Sequence, residues 1–68
     1  MIEKIERKIN VLQKKYEDSF IADSASEITA GFSSESAIGS TIICIAEGEV
    51  YIKNSKGKWQ LFGGTKEI

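Results

Sequence analysis

The residues of this sequence that could do chemistry are few and poorly spaced for it. The chain of 68 residues contains no histidine, which is the usual general acid or base near neutral pH. Ser33, Ser34 and Ser36 therefore lack a histidine base to activate them. The run from Gly31 to Glu35 begins like a nucleophile elbow, but it lacks the final glycine and the strand–turn–helix context. We predict that the protein is not an enzyme.

Thiol, metal and phosphate chemistry are equally weakly indicated. Cys44 is the only cysteine, so an internal disulfide is excluded and a zinc site lacks ligands. Its position between two isoleucines favours a buried apolar side chain over a reactive thiol, which would need exposure and positive charge nearby. The lysine–glycine–lysine run at 56–58 lacks the glycine spacing of a phosphate loop. We expect neither a metal nor a cofactor.

The aromatic residues of the C-terminal part offer a binding surface as an alternative to simple packing. Tyr51, Trp59 and Phe62 lie near three lysines, a combination that can stack on nucleic-acid bases or sugars. The strand register predicted below places Trp59 and Tyr51 on opposite faces, and a formal net charge of −1 argues against a nucleic-acid binder. We therefore expect no nucleic-acid partner, and glycan binding remains an alternative to core or interface packing.

The elements that would position these residues begin with an N-terminal helix over residues 1–18. Five apolar residues are spaced three, four, three and four positions apart, which is the a/d rhythm of a coiled coil. Isoleucine at both a and d favours three or four strands over two. The alternative is an amphipathic helix packed on its own domain, because two heptads alone are marginal in water. The predicted oligomer or partner interface comprises Ile2, Ile5, Ile9, Leu12 and Tyr16.

Residues 19–40 are rich in Ser, Ala and Gly and predict a link between two structured parts. Ile28, Ala30 and Phe32 alternate, so a short strand near 27–33 is compatible with the sequence. The segment is either a flexible link or an arm that becomes ordered in an assembly. No Lys or Arg occurs between Lys15 and Lys53, and the stretch between them is acidic.

Residues 41–64 carry the alternation of a three-stranded antiparallel β-meander. Glu47-Gly48 predicts a two-residue turn, so that Ile45 pairs with Val50, and the turn at 54–57 pairs Ile52 with Trp59. One face then collects the predicted sheet core, which contains Ile43, Ile45, Val50, Ile52, Trp59 and Leu61. The other face is also too apolar for full exposure and predicts a second interface, formed by Ile42, Cys44, Tyr51 and Phe62. Residues 65–68 are a tail.

The small size of the chain, like its apolar surfaces, indicates association with other subunits. A core of this size contributes only about 3–5 kcal/mol, and small proteins commonly add partner subunits. No apolar run is long enough to span a membrane, and the charged N-terminus does not have the pattern of a secretory signal. A lone cysteine suits a reducing compartment, so we expect synthesis in a bacterial cytoplasm and no membrane partner.

The pattern of residues 39–62 resembles that of small tailed-bacteriophage virion proteins. The resemblance is carried by Gly39-Ser40 before an aliphatic strand, by Glu47-Gly48 before Val50-Tyr51, and by the closing Gly57-Lys58-Trp59. It implies a non-enzymatic virion component, head- or neck-associated, that decorates or joins a shell.

The combined prediction is an α+β protein with an N-terminal association helix, a link and a β-meander. Its predicted function is a phage structural or assembly protein, capsid-associated or at the head–tail junction. Its predicted partners are itself, with a trimer favoured, or larger virion proteins. The alternatives are a recognition module that binds a glycan or protein through its sheet aromatics, and a regulator whose helix docks in a groove of another protein.

Overall fold

The computed structural model describes all 68 residues and contains one five-stranded sheet. Spatial order follows chain order; β2 and β3 run parallel, and every other neighbouring pair is antiparallel. The chain has no helix that is long and apolar enough to cross a membrane, and its helical content is a single 3-10 turn. The strands are β1 (Ile2–Asn10), β2 (Lys15–Ala22), β3 (Thr41–Cys44), β4 (Glu49–Lys53) and β5 (Trp59–Leu61).

The parallel pairing of β2 with β3 explains the long segment between them. Parallel neighbours need a crossover connection of a dozen or more residues, and residues 23–40 supply it. The crossover opens with the 3-10 turn at Ala25–Glu27, capped at its N-terminus by the Ser24 side chain. Its later residues return to the sheet, where the Ala37 amide donates to the Tyr16 carbonyl oxygen at 2.7 Å.

The crossover and the C-terminal residues cover one face of the sheet and form the core. Trp59 is 1% exposed, and its indole N–H donates to the Phe32 carbonyl oxygen at 2.8 Å. The Phe20 ring packs edge-on against Phe32, with centroids 5.1 Å apart, and Ile68 packs against the same core. The buried apolar residues are Phe20, Ala22, Ala25, Ile28, Ile42, Cys44, Tyr51 and Trp59.

The predicted N-terminal helix is wrong, and so is the coiled coil built on it. Residues 1–18 instead form β1, a four-residue turn and the first half of β2. The hairpin is favoured because β-branched isoleucines suit a strand and because β2 alternates buried Asp18, Phe20 and Ala22 with the less buried Ser19 and Ile21. The predicted α+β class is therefore incorrect, since the sheet has no helical layer. No strand forms near 27–33 either.

The C-terminal strands do pair as an antiparallel meander, but in other registers than predicted. The β3–β4 turn has four residues, so Ile43 pairs with Val50, and the β4–β5 connection places Trp59 opposite Lys53. Relative to the predicted register, β5 is shifted by one residue along β4, which places Trp59 on the same face as Tyr51.

The covered face is consequently not the predicted one. Three residues of the predicted second interface, Ile42, Cys44 and Tyr51, are fully buried in the core. Trp59 is buried and Leu61 packs partly against that same core. The remaining predicted core residues lie on the uncovered side or in the β3–β4 turn; these are Ile43, Ile45, Val50 and Ile52.

Candidate functional site

Three strongly exposed apolar side chains lie together at the end of the β1–β2 hairpin. Strand β3 pairs only with Ser19–Ala22, so the hairpin extends past the rest of the sheet. At its end Ile9 is 72% exposed, Val11 79% and Leu12 96%. Exposed apolar clusters of this kind on a small protein mark interaction sites. We call residues 7–16 the hairpin tip.

Local hydrogen bonds give the hairpin tip a defined shape. The Asn10 carboxamide oxygen accepts from the Gln13 amide at 3.0 Å, and the Lys14 amide donates to the Val11 carbonyl oxygen at 3.3 Å. Lys14 takes a left-handed conformation, with φ of 55°, to close the turn. The Gln13 carboxamide also bonds both the amide and the carbonyl of Ile38, which ties the turn to the crossover.

The hairpin tip is strongly basic, whereas the rest of the molecule is acidic. Of nine Lys and Arg residues, four lie in the hairpin tip, which contains no acidic residue. The other residues therefore carry five basic against ten acidic side chains. An open depression of about 240 Å³ lies there, lined by Ile9, Lys14, Lys15 and Tyr16. This combination suits a partner that presents both apolar and anionic groups.

A half-buried ion pair anchors the hairpin tip to the body of the protein. The Arg7 guanidinium donates to both carboxylate oxygens of Asp18, at 2.7 and 3.1 Å, and its Cζ atom lies 4.2 Å from the Tyr16 ring centroid. The Ser36 hydroxyl donates to Asp18 at 2.7 Å, and the Asp18 amide donates to the Ser40 hydroxyl. The Arg7 hydrogen bond holds the pKa of Asp18 below its ordinary value. The pair fixes β1, β2 and the crossover to one another.

The opposite end of the sheet carries the complementary type of surface. We define the distal surface as Asp23, Ile45, Ala46, Glu47 and Glu49. Ile45 is 60% exposed, and the Asp23 side chain is 78% exposed. The Ala46 amide donates to the Asp23 carbonyl oxygen, which joins the two halves of this surface. Backbone and hydroxyl hydrogen bonds from Ala25 and Ser24 lower the pKa of Glu47, so its carboxylate carries a stable negative charge.

The uncovered face of the sheet is a third surface with apolar character. Ile21 pairs with Ile43, and Ile43 pairs with Val50, so three aliphatic residues lie in one row across β2, β3 and β4. Phe62 continues the row, because its amide donates to the Val50 carbonyl oxygen at 2.8 Å, and it is 70% exposed. Ile21, Val50 and Ile52 on this face are half-buried, and Ile43 is 43% exposed.

The predicted interface residues form no helical seam, and only three of the five lie in the hairpin tip. Ile9, Leu12 and Tyr16 lie in the hairpin tip, Ile5 is 55% exposed at a bulge of β1, and Ile2 packs partly on the core. Sequence reasoning missed Val11, Lys14 and Lys15. The signal that could have found them is the acid-free basic run around Val11-Leu12.

Most of the remaining aromatic, lysine and thiol candidates from the sequence are buried in the core, with Phe62 as the exposed exception. Tyr51 and Trp59 lie within the core, where their faces are closed to a sugar ring. Lys53 is 4% exposed, and its ammonium donates to the Ser33 carbonyl oxygen at 2.8 Å. Burial lowers the pKa of Lys53 and raises that of the Cys44 thiol. No group of three or more residues of the metal-binding types lies together.

Comparison of the chain with protein-family models, with curated proteins and with solved structures found no match.

Proposed function

We propose that this protein is a small, non-enzymatic assembly protein that joins protein subunits through its hairpin tip. The observation that carries the proposal is the exposure of Ile9, Val11 and Leu12 within a basic segment that contains no acid. An isolated molecule gains nothing from holding three such side chains in water, since each would be stabilised by burial at about 25 cal/mol per Å².

The anchoring of the hairpin tip supports a docking role. A docking element binds more tightly when it does not have to be ordered first, because ordering costs conformational entropy. The Arg7–Asp18 pair and the Gln13 bonds to Ile38 hold the hairpin in one conformation before any partner arrives. Lysines around the apolar end would accelerate encounter with an anionic surface.

The resemblance of residues 39–62 to small tailed-phage virion proteins is compatible with this role. In that setting the protein would be a head- or neck-associated component that decorates or joins a shell, made in a bacterial cytoplasm and carried in the virion. The assignment to a virion stays a prediction.

Site-specific photocrosslinking in the native host tests the proposal. A benzophenone amino acid replaces Leu12 in the full chain, and a control carries it at Ser55 in the exposed β4–β5 turn. We expect a discrete adduct from position 12 and none from position 55, with the captured protein identified by mass spectrometry. An adduct of two copies and an adduct with a larger protein both fit the proposal. No discrete adduct from position 12, or the same adducts from position 55, would overturn it.

A further inference from the structure

We propose that the hairpin tip docks on the distal surface of a second copy of this chain, so that the protein assembles head to tail. This inference rests on the proposed function and names the partner. The occupant is indicated by charge complementarity within a single molecule, because the basic apolar end and the acidic apolar end belong to the same chain.

The two surfaces lie at opposite ends of the molecule. Strand β1 runs from the distal end at Ile2, which pairs with Ala22, to the hairpin tip at Asn10. Nine extended residues span about 30 Å, and the longest dimension of the protein is 33 Å. The surfaces are therefore too far apart to meet within one molecule, but both are free for neighbouring copies.

The two surfaces match in composition as well as in sign. The hairpin tip presents branched aliphatic side chains beside Lys14 and Lys15, and the distal surface presents Ile45 beside Asp23 and Glu49. The terminal ammonium of Met1 pairs with Asp23 and Glu27 and neutralises part of that end. Glu47 and Glu49 supply the other negative charges of that end, and the positive charge of Lys66 lies near them. Docking would pair exposed lysines with these carboxylates while removing Leu12 and Ile45 from water.

Contact between two different surfaces has a consequence for the size of the assembly. Such a heterologous contact leaves one free tip and one free distal surface after every addition. The assembly therefore grows into a ring if the rotation between copies closes, and into a filament if it does not. A component that links subunits of a shell or collar would use either geometry.

Charge-reversal variants with rescue test the inference. Analytical ultracentrifugation of the full chain is run over a concentration series at about 0.01 M and about 1 M salt, where the screening lengths are about 30 and 3 Å. We expect the weight-average mass to rise to at least about twice that of the monomer at low salt and to fall at high salt. The tip variant is K14E/K15E and the distal variant is D23K/E49K. Each is expected to be monomeric alone.

Mixing the two variants should restore association, because the acidic tip of K14E/K15E can dock on the basic distal surface of D23K/E49K. The unchanged basic tip of D23K/E49K can also dock on the unchanged acidic distal surface of K14E/K15E. The matched control for the tip variant is K56E/K58E, which makes the same change of net charge as K14E/K15E, but in the β4–β5 turn, and should assemble like the parent chain. Circular dichroism confirms that all variants are folded.

Three outcomes would overturn the inference: a parent chain that stays monomeric throughout, variants that assemble alone, or a mixture that fails to associate. Binding of the parent chain to anionic lipid vesicles without self-association would also overturn it. A monomeric chain that still gives a discrete adduct with another protein from position 12 would leave the proposed function standing and reject only the second copy as partner.

Discussion

Replacement of Asp18 by asparagine is the most informative test of how the hairpin is held. The change keeps the shape of the side chain and removes its charge. Asp18 joins Arg7 of β1 to Ser36 of the crossover, and its carboxylate is fully buried. We expect the substitution to weaken the attachment of the hairpin as well as the fold.

The magnitude follows from the contacts that Asp18 makes. A hydrogen bond that involves a charged group contributes about 1.5–3 kcal/mol, and Arg7 donates two of them. Arg7 remains 34% exposed, so water compensates part of the loss. We expect a decrease of about 2–3 kcal/mol in the free energy of unfolding. For 68 residues the total is about 3–10 kcal/mol, so this is a large fraction.

Urea unfolding followed by the fluorescence of Trp59, the only tryptophan, measures this change. The matched control is Glu17→Gln, which alters the neighbouring exposed carboxylate and should change stability by less than about 0.5 kcal/mol. If the free energy of unfolding of D18N at neutral pH lies within about 0.5 kcal/mol of the parent value, the Arg7–Asp18 pair does not stabilise the fold as argued.

The pH dependence gives a second check with a defined sign. The pKa of Asp18 is lower in the folded state than the value of about 3.9 expected when unfolded. Its stabilisation is therefore fully present above about pH 4 and is lost as the pH falls through the folded-state pKa. The difference between parent and D18N should shrink in that acidic window. A difference that stays constant there would show that packing, not charge, causes the loss.

Four further predictions concern single side chains. Leu12→Asp should leave the free energy of unfolding within about 0.5 kcal/mol of the parent, because Leu12 is 96% exposed, yet abolish association in ultracentrifugation. Tyr51→Phe should change the free energy of unfolding by less than about 1 kcal/mol in urea titrations, because the buried Tyr51 hydroxyl makes no hydrogen bond of normal geometry and has only the Lys66 ammonium nearby. Cys44 should react with iodoacetamide at mildly alkaline pH only after denaturation, because it is buried and its pKa is raised. Trp59→Ala should lower stability by about 3–5 kcal/mol, measured by loss of far-ultraviolet circular dichroism on heating.

The C-terminal strands were accessible to sequence reasoning, whereas their registers and the covered face were not. Runs of β-branched residues separated by glycine turns identify β3 and β4 directly. Both faces of these strands are apolar, however, so alternation could not indicate which one the crossover covers. The deciding contacts are non-local: Phe20 and Ile28 lie on the side of Ile42 and Tyr51. The composition of residues 19–40 does not indicate which face of the sheet this segment covers.

The parallel pairing of β2 with β3 was hidden for a related reason. Strand β2 buries Asp18, Phe20 and Ala22 at alternate positions, but an aspartate at a buried position disguises the alternation. It is tolerated there only because Arg7 and Ser36 satisfy it, and both partners lie far away in sequence. The crossover then appears as a polar link, since its apolar residues are spread among serines and glycines.

The isoleucine spacing that suggested a helix has a physical explanation in the strand. Positions seven residues apart fall on opposite faces of a regular strand, because its side chains alternate with period two. The bulge between Lys4 and Glu6 adds one residue, which returns Ile9 to the same face as Ile2. Ile9 then pairs directly with Tyr16 across the hairpin.

The two other residues of the predicted helical stripe lie where the strand is interrupted: Ile5 lies at the bulge of β1 and Leu12 in the turn between β1 and β2. Neither position can be directed into the core by strand geometry, and both side chains are largely exposed. The same rhythm that would bury one seam in a helix therefore leaves only Ile2 packed partly on the core here. Ile9 and Leu12, together with Val11, are exposed at the end of the hairpin, and the proposed docking depends on these three side chains.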